Sequence, residues 1–158
     1  MKQRILFVCL GNICRSPAAE AILLHKLEKL QLIDQFDVDS AGTGNWHVGK
    51  LADSRMREAA SNRGIMIKSR ARQISFDDFS KFDLILTMDN DNLKEVQSLN
   101  KELGTSSKAK IKPLLSYSSK IDLAEVPDPY YGGDKGFDKV LDLLEVAIDG
   151  LIKDIKVD

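Results

Sequence analysis

Two short runs of apolar residues, 5–9 and 84–88, stand out along the chain. Each run is continuous and bounded by polar segments, which is typical of strands buried on both faces of a parallel sheet. Residues 36–40 are more polar, and residues 110–115 include Pro113, which cannot donate a hydrogen bond to a neighbouring strand. We therefore predict two central strands flanked by two edge strands.

Apolar positions three and four residues apart predict helices between and after these strands. In the first helix, Leu23, Leu27 and Leu30 share one side and form the buried face. The predicted helices cover about residues 17–30, residues 53–64 with Asp53 as N-cap, a segment starting near Asp89 or Asn90, and an apolar stripe over residues 137–155. We expect the acidic pair Asp77-Asp78 to be solvated or to cap a helix.

Strands that alternate with helices predict an α/β fold with a doubly wound open sheet. A chain of 158 residues, 43% of them hydrophobic, suffices for one compact core, so we expect a single domain over residues 1–158. In such sheets ligands bind beyond the carboxyl ends of the strands. The first predicted strand ends at Cys9, so we look for function there.

Charge and cysteine content narrow the function classes. The 23 basic and 24 acidic residues nearly cancel, so we expect no binding of nucleic acid or of an anionic membrane. The first apolar run is too short for a signal peptide or a membrane-inserted segment. Two cysteines cannot form a disulfide framework, so we expect both to be thiols in the cytoplasm.

Residues 8–17 join the first strand directly to the first helix. Ser16 and Pro17 are suited to be N-cap and first-turn residues, so the positive end of the helix dipole should face the loop and attract an anion. Gly11 can take a positive φ, and Asn12 tolerates one better than most residues, so successive amides can converge on one point. The loop is therefore a candidate anion site.

Two side chains give this loop a candidate chemistry. Arg15 carries a planar fork that matches two phosphate oxygens. Cys9 lies at the base, where the helix dipole, the guanidinium and the Ser16 hydroxyl favour thiolate over thiol. A thiolate nucleophile beneath a bound phosphate, with converging donors that stabilise the transition state, predicts phosphoryl transfer.

The loop residues match the signature of low-molecular-weight protein tyrosine phosphatases, and the chain resembles that family along nearly its whole length. The resemblance implies a four-stranded parallel sheet with helices on both faces and neither a metal nor another cofactor. It also implies a general acid, Asp128, on a late Asp-Pro loop that Pro127 and Pro129 stiffen. The predicted reaction is hydrolysis of phosphotyrosine and small aryl phosphates through a phosphocysteine intermediate.

The same resemblance supplies the remaining site residues. Trp46, Tyr130 and Tyr131 are expected to wall a crevice deep enough for phosphotyrosine and too deep for phosphoserine. Ser40 would brace the loop through Asn12, and Asp89 would lie beside it. The phosphate would contact the loop itself, formed by Leu10, Gly11, Asn12, Ile13, Cys14 and Ser16. The partners would be phosphotyrosine proteins, with inorganic phosphate as product, and the chain a monomer or weak dimer.

The resemblance also carries a regulatory expectation and one departure. Cys14 lies close enough in a curled loop to capture an oxidised Cys9 as a disulfide, a reversible redox switch in the family. Ser69 stands where many relatives carry a histidine in a hydrogen-bond network near the loop, which could tune the rate.

Several alternatives stay open on the sequence. Cys9 could be a structural thiol, Asp128 a turn residue, and Trp46 part of the core. A closed zinc site needs about four donors, and the only histidines that could join the two cysteines are His25 and His47. An arsenate reductase is nearly excluded, because it would need resolving cysteines well downstream and the sequence has no cysteine after Cys14. A protein-arginine phosphatase typically has Thr where this chain has Ile13, so Ile13 favours phosphotyrosine as the substrate. A catalytically silent phosphotyrosine binder could dispense with the nucleophile and the acid, but this chain has both Cys9 and Asp128.

Overall fold

The computed structural model describes residues 2–104, 107–119, 123–129 and 133–155. In these ranges four parallel strands form one sheet in the order β2-β1-β3-β4. The two apolar runs lie in its centre and the two more polar segments at its edges, so the predicted α/β class and strand arrangement are confirmed. The strands are β1 (Gln3–Cys9), β2 (Phe36–Gly42), β3 (Leu84–Thr87) and β4 (Lys110–Pro113).

Within the described part of the chain, five helices cover the two faces of the sheet: α1 (Arg15–Lys29), α2 (Ser54–Ser61), α3 (Phe76–Lys81), α4 (Asn90–Leu103) and α5 (Asp134–Ile155). Alternate residues of β1 enter different cores, as the twofold period of a strand requires. Ile5 and Phe7 pack in the larger core with α1, α2 and α5. Leu6 and Val8 pack in the smaller core with α3 and α4. The bounds 1–158 of the predicted domain stay a prediction.

The first helix starts two residues earlier than its pattern predicted. Its N-cap is Cys14, so Ser16 and Pro17 lie within the first turn, and the prediction that Ser16 caps the helix was wrong. The physical reason is that the Ser16 hydroxyl contacts Cys9 and Asn12 instead of a helix amide. Leu30 follows the last turn and is exposed, so it is not part of the buried face.

The predicted starts of α2 and α4 agree with the structure. The Asp53 side chain accepts the Arg55 amide as the predicted N-cap of α2, which ends at Ser61 rather than Gly64. Asp89 caps α4. The predicted stripe of the last helix is buried in α5.

The structure adds α3, which the pattern did not predict because it is only six residues long. Within it Asp78 completes a capping box, as expected of a cap, but its side chain is buried against Arg72 and is not solvated. After β4, residues 114–117 form a 3-10 turn, so this strand is shorter than predicted. Among the helices of the described residues, none combines the length and apolar character needed to cross a membrane.

Candidate active site

A cavity of about 410 Å³ opens at the carboxyl end of β1, beside the loop that leads into α1. The N-cap Cys14 makes no side-chain capping hydrogen bond, so the positive end of α1 is not neutralised by a cap. The cavity brings together the three residues predicted to carry the chemistry. It is lined by Cys9, Leu10, Gly11, Ile13, Cys14, Arg15, Trp46, His47 and Asp128.

Cys9 is almost fully buried, 2% exposed, and two polar groups contact its sulfur. The Asn12 amide donates to Sγ at 3.3 Å, and the Ser16 Oγ lies 3.0 Å from Sγ. The Ser16 hydroxyl accepts from the Asn12 side chain at 2.8 Å and has one proton to donate, for which the sulfur at 3.0 Å lies closer than the Ala41 carbonyl oxygen at 3.4 Å. Donors in this arrangement are suited to hold a negatively charged sulfur.

Asn12 braces the loop from behind the cavity. It is 2% exposed and has φ = 57°, so the positive φ lies at Asn12 and not at Gly11, where the sequence also allowed one. Its Nδ2 donates to Ser16 Oγ and, at 3.0 Å, to Ser40 Oγ, which is the contact predicted between Asn12 and Ser40. Its Oδ1 accepts the Arg72 amide at 3.0 Å. One side chain thus links α1, β2 and the segment before α3.

The Ser40 hydroxyl continues this chain of hydrogen bonds to a buried carboxyl group. It donates to Glu20 Oε1 at 2.6 Å. Burial raises the pKa of Glu20 to about 7, although hydrogen bonds from Ser40 and Ser69 favour its ionised form. Ser69, the residue that departs from the family pattern, therefore does contact this network.

The residues that follow β2 support the loop through their backbone. The amides of Thr43 and Gly44 donate to the carbonyls of Cys9 and Leu10 at 2.9 Å each. A Cβ on Gly42 would lie 2.8 Å from the Leu10 carbonyl oxygen, so only glycine permits this approach. At the next loop residue, a Cβ on Gly11 would lie 3.0 Å from the ring of His47.

Arg72 fixes the segment that holds Asn12. Its guanidinium makes two hydrogen bonds of 3.0 Å to Asp78 and lies 3.0 Å from Asp39. Burial on its own would lower the pKa of Arg72, but Asp78 and Asp39 outweigh it and raise the pKa above its ordinary value. Its carbonyl also accepts the Gly42 amide at 2.8 Å.

Arg15 enters the cavity from the first turn of α1, with a side chain that is 3% exposed. Its Nη1 donates to Asp89 Oδ2 at 2.6 Å and to the Val126 carbonyl at 3.0 Å. Its Nη2 lies 3.7 Å from Asp128 Oδ2. Burial alone would lower the pKa of Arg15, but Cys9, Asp89 and Asp128 raise it above its ordinary value, so the guanidinium is charged. Asp89 therefore lies where predicted, beside the loop.

Trp46 and Asp128 form part of the wall of the cavity. Trp46 is 66% exposed and its ring covers Gly44, which places it at the rim rather than in the core. Asp128 faces the cavity with a side chain that is 35% exposed. The two predicted aromatic walls, Tyr130 and Tyr131, lie outside the described residues.

The second cysteine has a different environment. Cys14 is a buried free thiol. Burial raises its pKa far above the ordinary value of a thiol, and Asp53 adds to this effect. Cys14 is therefore protonated at neutral pH. Across the described residues, no three His, Cys, Asp or Glu side chains are grouped so that they could hold a metal ion.

Comparison with known proteins decides the family. A family model described as low molecular weight phosphotyrosine protein phosphatase matches residues 4–158. The chain belongs to this family. The low molecular weight phosphotyrosine protein phosphatase of Schizosaccharomyces pombe is 45% identical over 135 residues, which is 85% of each chain. Phosphatase activity follows from membership.

Two solved structures of the same fold show how completely the chain matches. A protein tyrosine phosphatase from Entamoeba histolytica with Hepes in the active site aligns with a TM-score of 0.92 and 44% identity, over 98% of this chain and 97% of its own. A Drosophila arginine phosphatase aligns with a TM-score of 0.93 and 36% identity, over 100% and 99%. Both are matched over almost their full length.

Glu20, His47 and Arg72 are among the residues near the site of this phosphatase that sequence reasoning missed. Glu20 carried a usable signal, since it stands four residues after Ser16 and so shares its side of α1. His47 lines the cavity, whereas the sequence suggested it only as a metal ligand. Arg72 carried no local signal, because its contacts reach Asn12 and Asp39 across the sequence.

Proposed function

We propose that this phosphatase hydrolyses phosphotyrosine through a phosphocysteine intermediate on Cys9. The observation that carries the proposal is the convergence of Cys9, Arg15 and Asp128 on one cavity beside the start of α1. The buried sulfur has two donors directed at it, the guanidinium is charged, and a carboxyl group faces them. Phosphoryl transfer through a covalent intermediate uses such a nucleophile, clamp and acid.

In the first step the phosphate group replaces the loose contact between Arg15 and Asp128. Nη2 of Arg15 binds a phosphate oxygen while Nη1 stays fixed by Asp89 and Val126. The Cys9 sulfur attacks phosphorus, the bond to the phenolic oxygen breaks, and Asp128 gives its proton to that oxygen. The product tyrosine leaves, and the phosphoryl group remains on sulfur.

In the second step water hydrolyses the phosphocysteine. Asp128, now ionised, accepts a proton from the attacking water, the sulfur–phosphorus bond breaks, and inorganic phosphate leaves. Cys9 regains its thiolate. The protonated state of Cys14 supports Cys9 as the nucleophile, since only a thiolate attacks efficiently.

The same site supports the expected partner class. An aromatic side chain at the rim, Trp46, can stack against a phenyl ring while the phosphate reaches Cys9 below. Ile13 lies in the lining, where a protein-arginine phosphatase would carry Thr. The walls formed by Tyr130 and Tyr131, the disulfide between Cys9 and Cys14, the cytoplasmic location and the monomeric state stay predictions.

The test is the rate of hydrolysis of a phosphotyrosine peptide, a phosphoarginine peptide and p-nitrophenyl phosphate, with a chelator present. Wild type should prefer phosphotyrosine. Cys9→Ser should have no measurable turnover, and Asp128→Ala should lose roughly a hundredfold or more on the peptide. Exposed Asp34→Ala is the matched control and should equal wild type. Activity of Cys9→Ser would contradict the mechanism, and preference for phosphoarginine would contradict the substrate class.

A further inference from the structure

The loop that carries Asp128 is attached to the start of α4 by contacts on consecutive residues. The Val126 amide donates to the Met88 carbonyl at 2.7 Å, and the buried Val126 carbonyl accepts from Arg15 at 3.0 Å. One residue earlier, Glu125 Oε2 accepts the Asn90 amide at 2.7 Å. The loop is thus fixed both to α4 and to the phosphate clamp.

Glu125 accepts a hydrogen bond from a backbone amide at the start of α4 that has no partner within the helix. The first four amides of a helix have no partner within it, and Asn90 is the first residue of α4. The helix's own N-cap, Asp89, accepts the Asn92 amide and binds Arg15, whereas the Asn90 amide donates to Glu125. A carboxylate from another segment fills this place, where the helix dipole favours negative charge.

The start of α4 therefore binds both the phosphate clamp and the loop that carries Asp128. Asp89 fixes Arg15, and Asn90 fixes Glu125, which stands three residues before Asp128. Val126 is fully buried between them, and Pro127 and Pro129 restrict the backbone around Asp128. Because the backbone of this short segment has little conformational freedom, fixing Glu125 also restricts where Asp128 can lie.

We propose that Glu125 is a positioning residue for the general acid, acting through its hydrogen bond to the Asn90 amide. The proposal rests on the proposed role of Asp128. Without this bond the loop keeps its Val126 contacts but loses its outer attachment, and the Asp128 carboxyl is less often within reach of the leaving oxygen. Proton donation matters most when the leaving group is a poor one.

The experiment measures kcat/KM for aryl phosphates whose leaving groups range from dinitrophenol to phenol. This constant reports the step in which the phenol leaves, whichever step limits kcat. Glu125→Ala should lose about tenfold on phenyl phosphate, part of the 10²–10⁴-fold that general acid catalysis typically supplies, and less than twofold on dinitrophenyl phosphate. Glu125→Gln keeps an acceptor and should stay near wild type, as should the exposed Glu95→Ala on α4.

A second variant removes the other partner of the bond. Proline is tolerated at the first position of a helix and has no amide hydrogen, and the extended conformation of Asp89 suits a residue before proline. Asn90→Pro should reproduce the leaving-group dependence of Glu125→Ala. The double variant should be no worse than either single one, because both remove the same bond.

The outcomes separate this proposal from the proposed function. If Asp128→Ala loses activity steeply with poorer leaving groups while Glu125→Ala and Asn90→Pro lose none, or lose equally across the series, the role of Glu125 is overturned and that of Asp128 stands. If Asp128→Ala shows no dependence on the leaving group, both roles are overturned. A leaving-group dependence in the variants that lack the bond, absent from Glu125→Gln, supports the proposal.

Discussion

Replacing Asn12 by alanine should remove the brace of the phosphate loop. Three side-chain hydrogen bonds would be lost, to Ser16, to Ser40 and from the Arg72 amide. Each contributes about 1 kcal/mol net. Alanine at φ = 57° adds about 1 kcal/mol of backbone strain. The free energy of unfolding should therefore fall by about 3 to 4 kcal/mol, which is near the upper end of the losses that single substitutions cause.

Equilibrium unfolding in urea measures this loss, and a glycine variant separates its two causes. With a slope of about 2 kcal/mol per molar, the urea midpoint of Asn12→Ala should fall by about 1.5 to 2 M. Asn12→Gly also lacks the hydrogen bonds but accepts the positive φ, so it should be about 1 kcal/mol more stable than Asn12→Ala. The exposed Asn45→Ala is the control. A loss below about 1 kcal/mol in Asn12→Ala, or no advantage for glycine, would refute the argument.

Three other changes test the contacts around this brace. Burial raises the pKa of Glu20 from 4.5 to about 7, so the folded state holds this proton more tightly than the unfolded state. Wild type should then gain up to about 3 kcal/mol of stability as pH falls from 8 to 4.5, and Glu20→Gln should not, in urea unfolding across that range. Gly42→Ala places a methyl 2.8 Å from the Leu10 carbonyl, so stability should fall by about 1 to 3 kcal/mol and kcat/KM should fall with it. Arg72→Met leaves the buried Asp78 carboxylate without its cation and should lose about 3 kcal/mol in thermal unfolding; an unchanged midpoint would contradict this assignment.

The parts of the fold that follow a local period could be predicted from the sequence. The buried strands β1 and β3 appear as continuous apolar runs, and α5 appears as a long stripe, because burial on one or two faces imposes a repeat on the residues. The short α3 has no repeat to detect. Its capping box forms with Asp78, whose burial depends on Arg72 and is not encoded in the neighbouring residues.

In the candidate site, too, the local features could be predicted from the sequence and the contacts between distant residues could not. The loop from Cys9 to Arg15 is local, and its residues between a buried strand and a helix are enough to predict an anion site. The start of α1 is harder to predict because Ser16 has the side chain of a helix cap, and only the tertiary contacts with Cys9 and Asn12 assign it elsewhere. Glu20 acts on the loop through Ser40, whereas the Arg72 amide donates directly to Asn12. Both contacts join residues that are distant in the sequence, so spacing does not reveal them.

The phosphocysteine on Cys9 is the central claim, and trapping it is the most direct test. Asp128→Ala, which should hydrolyse the intermediate slowly, is mixed with p-nitrophenyl phosphate, quenched in acid within milliseconds and digested. Tandem mass spectrometry of the peptide over residues 5–15 should place one phosphoryl group on Cys9, together with a burst of nitrophenol equal to the enzyme concentration. A phosphoryl group on Cys14 or His47, or full turnover without any covalent intermediate, would contradict the account.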